Sequence, residues 1–154
     1  MTNIRFAKAV LPLAIGAAWI AGDANAQANI TLVGMDPPGS GLNDPRPVAP
    51  IGGNPGKTLG QQRTIAYQYA MDIWGALLTS TPEIRVEASF GSLDCREGRT
   101  VLGQAQAIYS KTDFQRAPLA GVAYHGALAN AIAGQDLDAR NEIFTAFQAD
   151  LATE

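Results

Sequence analysis

The chain has 154 residues, of which 47% are hydrophobic and 16% are charged, and its formal net charge is −3. This length and composition predict a single globular domain with a modest core. The charges are scattered without a basic cluster, which argues against nucleic acid and acidic membrane surfaces as partners.

The N-terminal residues 1–26 have the pattern of a cleaved secretory signal peptide. A basic start precedes an apolar run at residues 9–21, which is too short for a bilayer span of about 20 apolar residues. Small residues at Ala24 and Ala26 predict cleavage before Gln27, and a cut two residues later also fits. The protein is therefore expected to be secreted or periplasmic without a stable membrane anchor. An uncleaved anchor and a buried helix are the alternatives.

Residues 27–57 are predicted to hold one strand followed by a long Pro/Gly-rich segment. Residues 29–35 read NITLVGM, and their β-branched side chains and alternation predict the strand. Residues 36–57 are rich in turn-forming residues. A connection of that length inside a compact domain is often functional or partly disordered.

Residues 52–58 read GGNPGKT and imitate a phosphate-binding loop. The glycine spacing is one residue short of that pattern, and Pro55 removes a backbone N–H that a phosphate would need. Thr58 and Gln61 instead form the capping-box pattern T-x-x-Q at the start of a helix. The stretch is therefore predicted to be a flexible approach to a helix over residues 59–78.

This first helix is predicted to pack on a sheet through an apolar face. Apolar residues recur along it at helical spacing: Leu59, Ala66, Tyr69, Ala70, Ile73, Trp74 and Leu77. Tyr69 and Trp74 are therefore expected to pack in the core rather than to stack on a ligand.

The second half of the chain mixes strong and weak signals. Residues 83–90, EIRVEASF, alternate between apolar and polar and predict a strand with one face on the helix and the other in water. Residues 100–109 are a weaker strand candidate. Residues 119–133 predict a second helix with Gly134 as its C-terminal cap. Residues 140–151 fit a helix and a strand equally well.

The only histidine and the only cysteine do not form a recognisable catalytic pair. His125 lies in the predicted second helix without an H-x-x-x-H partner, and we interpret it as a packed, hydrogen-bonded residue. Cys95 has no nucleophile signature around it. In an oxidising compartment, Cys95 is either a small buried thiol or half of a disulfide whose partner is absent from this chain.

Two groups of acidic and amide residues are weak candidates for a cation or catalytic site. Asp36, Asn43 and Asp44 are oxygen donors of the kind that calcium binds, but they lack EF-hand spacing. Asp136 and Asp138 are a possible carboxylate pair. Both groups are more simply explained as turn or cap formers.

Three blocks carry a family resemblance. They are GLNDPRPVAPIGGNPGKTLGQQR at 41–63, YAMDIWGALLTSTPEIRVEASFGSLDC at 69–95 and YHGALANAIAGQDL at 124–137. Together they resemble the N-terminal part of secreted bacterial zincin-like metallopeptidases, a family often interrupted by a protease-associated domain. The resemblance implies an α+β fold containing a partial zincin-like mixed sheet with a long packed helix. It also favours a strand for residues 141–149.

The zinc signature of that family, H-E-x-x-H, supplies two zinc ligands and a glutamate base, and it does not occur in these 154 residues. The resemblance implies zinc and a peptide substrate for the full-length family, but it transfers no catalytic or metal residue to this chain. Residues 58–154 are thus expected to form an incomplete zincin-like scaffold. Cys95 favours a partner cysteine further along a longer chain.

The expected function is the N-terminal, non-catalytic portion of an exported zinc metallopeptidase-like protein, inactive by itself. The alternative is a non-enzymatic exported binding module, with calcium binding as a weaker variant of it.

Overall fold

The computed structural model describes residues 27–96 and 98–148, and it has an α+β fold. Its strands are β1 (Ile30–Gly34), β2 (Ile84–Gly91), β3 (Cys95–Arg96), β4 (Arg99–Thr100), β5 (Gly103–Ala107), β6 (Ser110–Lys111), β7 (Tyr124–His125) and β8 (Ile143–Gln148). Its helices are α1 (Leu59–Leu77) and α2 (Gly126–Ala133). The predicted signal peptide, with Ala24 and Ala26, lies outside the described residues.

The central sheet is mixed, as the family resemblance implied. Its four strands are ordered β1-β2-β8-β5. The strands β1, β2 and β8 are parallel to one another, whereas β5 runs antiparallel to β8 at one edge. The helix α1 connects β1 to β2, as a parallel pair requires. The ambiguous residues 140–151 therefore include a strand, which confirms the choice that the family resemblance favoured.

The alternation predicted for β2 is confirmed on its apolar face. Ile84, Val86 and Ala88 are buried. Ile84 and Val86 belong to an apolar cluster that also contains Ala28, Ile30, Ala127 and Ile143. The opposite face does not simply meet water. Arg85 and Glu87 are half-buried there because the Arg85 guanidinium donates to Arg140 and Glu142, and the Glu87 carboxylate accepts from the side chain of Asn141.

The prediction for the packing face of α1 was wrong. The residues that α1 buries are Gly60, Met71 and Gly75, whereas Tyr69 and Trp74 are exposed. The reason is close backbone approach. A Cβ at Gly60 would lie 2.4 Å from the carbonyl oxygen of Leu42, and one at Gly75 would lie 2.8 Å from that of Ala28. The sheet side of α1 therefore has no room for bulky residues at these points.

One aromatic side chain of α1 does reach the sheet. The ring of Tyr67 makes edge-on contacts with Phe90 of β2 and Phe147 of β8, at centroid distances of 6.0 and 5.7 Å. Its hydroxyl lies 2.9 Å from Oγ1 of Thr145. These contacts fix α1 across the sheet close to the carboxyl ends of β2 and β8.

The second helix begins later than the sequence predicted. It starts at Gly126, because the preceding residues form β7, in which Tyr124 pairs with Lys111 of β6. Gly121, within the predicted helix, has a φ of +71° that breaks helical geometry. Gly134 does cap the helix, with a φ of +74° and its N–H donating to the carbonyl of Asn130 at 2.8 Å.

Candidate functional site

The GGNPGKT stretch forms a hydrogen-bonded turn that leads into α1. Ile51 and Asn54 form an isolated antiparallel bridge, and Gly52 and Gly53 between them both have positive φ. The side chain of Asn54 accepts from the N–H of Gly56 at 3.0 Å and donates to the carbonyl of Gln62 at 2.8 Å. The side-chain amide of Asn54 thus satisfies part of the backbone of this turn.

The backbone N–H groups at the start of α1 are already hydrogen-bonded within the protein. The hydroxyl of Thr58 accepts from the N–H of Gln61 at 3.2 Å, and the side chain of Gln61 accepts from the N–H of Lys57 at 2.9 Å. The N–H groups of Leu59 and Gly60 donate to backbone carbonyls of the preceding segment, each at 3.0 Å. With these donors occupied, an anion at this helix start would displace existing bonds.

The oxygens of Asp36 are used within the protein. Its carboxylate accepts from the N–H of Leu42 at 2.7 Å and from the N–H of Phe90 at 3.0 Å. Asn43 donates its side-chain amide to the carbonyl of Asp36 at 2.8 Å. Asp36 thus fastens the Pro/Gly-rich segment to the carboxyl end of β2. This geometry favours the turn interpretation over calcium.

Asp44 is engaged by two arginines beside the same strand ends. Its buried carboxylate pairs with Arg46 at 2.7 Å and lies 3.8 Å from Arg63. The hydrogen bonds from Arg46 hold the pKa of Asp44 below its ordinary value. The guanidinium of Arg63 lies over the ring of Phe90, 4.5 Å from its centroid. These charges line an open pocket of about 530 Å³ and compensate one another.

His125 is hydrogen-bonded, as the sequence interpretation expected, but it is not packed within a helix. It is exposed at the position before α2, and its Nδ1 lies 3.2 Å from the hydroxyl of Ser110. Cys95 lies in β3, a two-stranded hairpin with β4. Among residues 27–96 and 98–148, no three His, Cys, Asp or Glu residues group in a way that could hold a metal ion.

The sequence reasoning missed a buried polar network around Glu142. The Glu142 side chain is fully buried and accepts from the N–H of Arg85 at 2.7 Å. It also accepts from the guanidinium of Arg85 and the amide of Asn130, each at 3.3 Å. Asn130 donates further to the hydroxyl of Tyr109 at 3.1 Å, and burial raises the pKa of this phenol. No local pattern in the sequence marks Glu142.

Asp136 and Asp138 belong to the same region and act as turn and ion-pair residues. Asp136 accepts from the N–H of Asp138 at 3.0 Å and pairs with Arg85 at 3.0 Å. Arg140 and then Lys111 hold the pKa of Asp138 far below its ordinary range. The network lies at the amino ends of β2 and β8, whereas ligands of parallel sheets bind at the carboxyl ends. We therefore assign it to stability.

The open edge of β5 is the feature best suited to bind a partner. The N–H of Ile108 donates to the backbone carbonyl of Glu142, and the N–H of Gln148 donates to the carbonyl of Leu102. These two bonds show which residues of β5 bond to β8 and which face away from it. Because bonding alternates along an antiparallel strand, Gly103, Ala105 and Ala107 direct their N–H and C=O groups outward. In the described part of the chain, no strand pairs with that side.

This edge lacks the usual protection against pairing. The sequence GQAQA of β5 contains no charge and no proline, and four of its five residues are exposed. Phe147 of β8 is 41% exposed beside Gly103, where a Cβ would lie 2.9 Å from the ring. The edge thus offers backbone bonding groups next to an exposed apolar ring.

Comparison of the chain with models of protein families, with curated proteins and with solved structures finds no match. Among the residues that the structure describes, neither helix is long and apolar enough to cross a membrane.

Proposed function

We propose that this chain is the N-terminal, non-catalytic scaffold of an exported zinc metallopeptidase-like protein and that it binds peptide substrate along β5. The open β5 edge is the observation that carries the proposal. The family resemblance described above implies a mixed sheet crossed by a long helix. The antiparallel edge strand beside three parallel strands supports that architecture.

The mode of binding is the addition of an extended peptide to the sheet. The outward N–H and C=O of Ala105 exchange bonds with one peptide residue, and Gly103 and Ala107 bond the residues two positions away. A peptide side chain beside Gly103 lies next to the exposed ring of Phe147 and gains apolar contact there.

Peptide titration tests this mode of binding directly. Labelled extended peptides are titrated with the protein, and binding is followed by fluorescence anisotropy. Ala105→Pro removes an outward donor and leaves the bonds to β8 in place, since proline is tolerated where an edge N–H faces solvent. We expect at least tenfold weaker binding, because the added strand loses a bond and meets the proline ring.

A matched control is Gln104→Ala, which changes a side chain but leaves the outward backbone groups of β5 intact. The peptide affinity of Gln104→Ala is expected to stay within about twofold of the original. The tenfold loss expected for Ala105→Pro corresponds to about 1.4 kcal/mol of binding free energy. The absence of binding for every extended peptide, or equal affinity for Ala105→Pro, contradicts the β5 proposal.

The assignment to a metallopeptidase has its own tests. We expect an H-E-x-x-H codon run in the DNA after codon 154, and we expect neither stoichiometric zinc nor peptidase activity in the purified chain. One bound zinc per chain contradicts the non-catalytic assignment. Mass spectrometry of the exported protein is expected to find Gln27 as the first residue.

The alternative is a non-enzymatic exported binding module that uses the same β5 edge. It gains support if peptides bind in an Ala105-dependent manner while no H-E-x-x-H run follows. A rise in melting temperature with calcium is the result that would favour the calcium-binding variant.

A further inference from the structure

The most apolar side of α1 faces away from the sheet. We call it the outer stripe and define it by two rows of residues at four-residue spacing. One row is Tyr69, Ile73 and Leu77, and the other is Ala66, Ala70 and Trp74. All six are exposed, and the four large residues are between 46% and 70% exposed. Nothing in the described part of the chain covers them.

The stripe is large enough to form an interface. A covered aromatic side chain buries about 150–250 Å² and an aliphatic one somewhat less, so the exposed fractions of the four large residues amount to on the order of 500 Å². Two such surfaces together give about 1,000 Å², the area at which a specific interface becomes credible. A patch of this size on a monomer is often functional.

The shape of the stripe suits a second copy of the same chain. The bulky row at Tyr69, Ile73 and Leu77 runs beside a row whose first two members are alanines. Residues four apart form the ridges that pack into the grooves of a neighbouring helix. In a two-fold pair, the bulky row of each copy fits over Ala66 and Ala70 of the other. Such a contact is self-complementary, as an isologous interface requires.

The charges on α1 do not oppose this pairing. Its only charged residues are Arg63 and Asp72, and neither belongs to the stripe. Arg63 points to the sheet side, over Phe90, and Asp72 accepts from the side chain of Gln68 at 2.8 Å. The stripe therefore has the charge depletion that marks the core of interfaces.

We propose that the outer stripe of α1 is a self-association surface, through which two copies of this protein pack α1 against α1. The proposal is independent of peptide binding at β5, because β5 is an edge strand at the opposite side of the sheet from β1 and contributes no residue to the outer stripe.

The test is the oligomeric state of the purified protein by sedimentation equilibrium over a range of concentrations. We expect a monomer–dimer equilibrium for the original protein. Leu77→Glu places a charge on each side of the interface, and we expect the dissociation constant to rise at least a hundredfold. Gln68→Lys puts a charge on α1 outside the stripe, where it faces Asp72 of the same helix, and should leave the dimer intact.

A second variant distinguishes loss of the interface from loss of the fold. Ala70→Leu fills the groove without adding a charge, and we expect a dissociation constant at least tenfold higher with an unchanged circular dichroism spectrum. A monomer at every concentration up to about 100 μM overturns the proposal and leaves another protein or residues 1–26 as occupants. A dimer that survives both stripe substitutions also overturns it.

Discussion

Removal of the Glu142 carboxylate is expected to be the most damaging single truncation among the polar residues. The substitution Glu142→Ala takes the acceptor from the backbone N–H of Arg85, from its guanidinium and from one donor of Asn130. All three donors approach a side chain that is fully buried, so water cannot replace the lost oxygens without opening the structure.

The expected loss in the free energy of unfolding depends on which partners of Glu142 remain unpaired after the substitution. Breaking a buried ion pair costs about 3–5 kcal/mol when the surviving charge has no partner. The guanidinium of Arg85 is 25% exposed and keeps Asp136 at 3.0 Å, which places the loss near the lower end. We expect Glu142→Ala to reduce the free energy of unfolding by about 3 kcal/mol. Glu142→Gln keeps an acceptor for the Arg85 N–H and should lose about half as much.

Urea unfolding followed by circular dichroism measures this loss. With a slope of about 2 kcal/mol per molar urea, a loss of that size lowers the midpoint by about 1.5 M. Glu83→Ala is the control, because Glu83 is an exposed carboxylate and should change stability by under about 1 kcal/mol. Equal midpoints for Glu142→Ala and Glu83→Ala would refute the reasoning.

Three further perturbations probe other parts of the fold. Thr58→Ala should lower the free energy of unfolding by about 1 kcal/mol in urea titrations, whereas Thr58→Ser should be nearly neutral, because the lost group is a cap acceptor. Gly60→Ala should cost about 3 kcal/mol, since its Cβ would meet the Leu42 carbonyl at 2.4 Å; a neutral result would show that the backbones can separate. The pKa of Asp138 is held below the ordinary 3.8. The ion pairs of Asp138 therefore contribute to stability above that pH, and this contribution is lost as the pH falls through the folded pKa. Asp138→Asn should therefore show a shallower loss of stability below about pH 4, and identical acid titration curves would contradict this.

The sequence by itself determined the features that a few neighbouring residues encode. Thr58 and Gln61 fixed the start of α1, because a cap is built from groups three residues apart. The two-residue period of β2 predicted its buried face, and Gly134 fixed the end of α2. These signals are local, since each depends on the geometry of one turn or one strand.

Tertiary structure alone decided which side of α1 faces the sheet. Its apolar pattern correctly predicted a helix but pointed the bulky side the wrong way, since the contacts at Gly60 and Gly75 involve backbone that is distant in sequence. For the same reason the weak GQAQA stretch became the β5 edge, by pairing with β8 about 40 residues later. The burial of Glu142 likewise depends on Arg85 and Asn130, which only the folded chain brings together. The facing of a helix, the pairing of a strand and the burial of a side chain depend on available space and on residues distant in sequence. The hydrophobic period of a single segment contains no information about either.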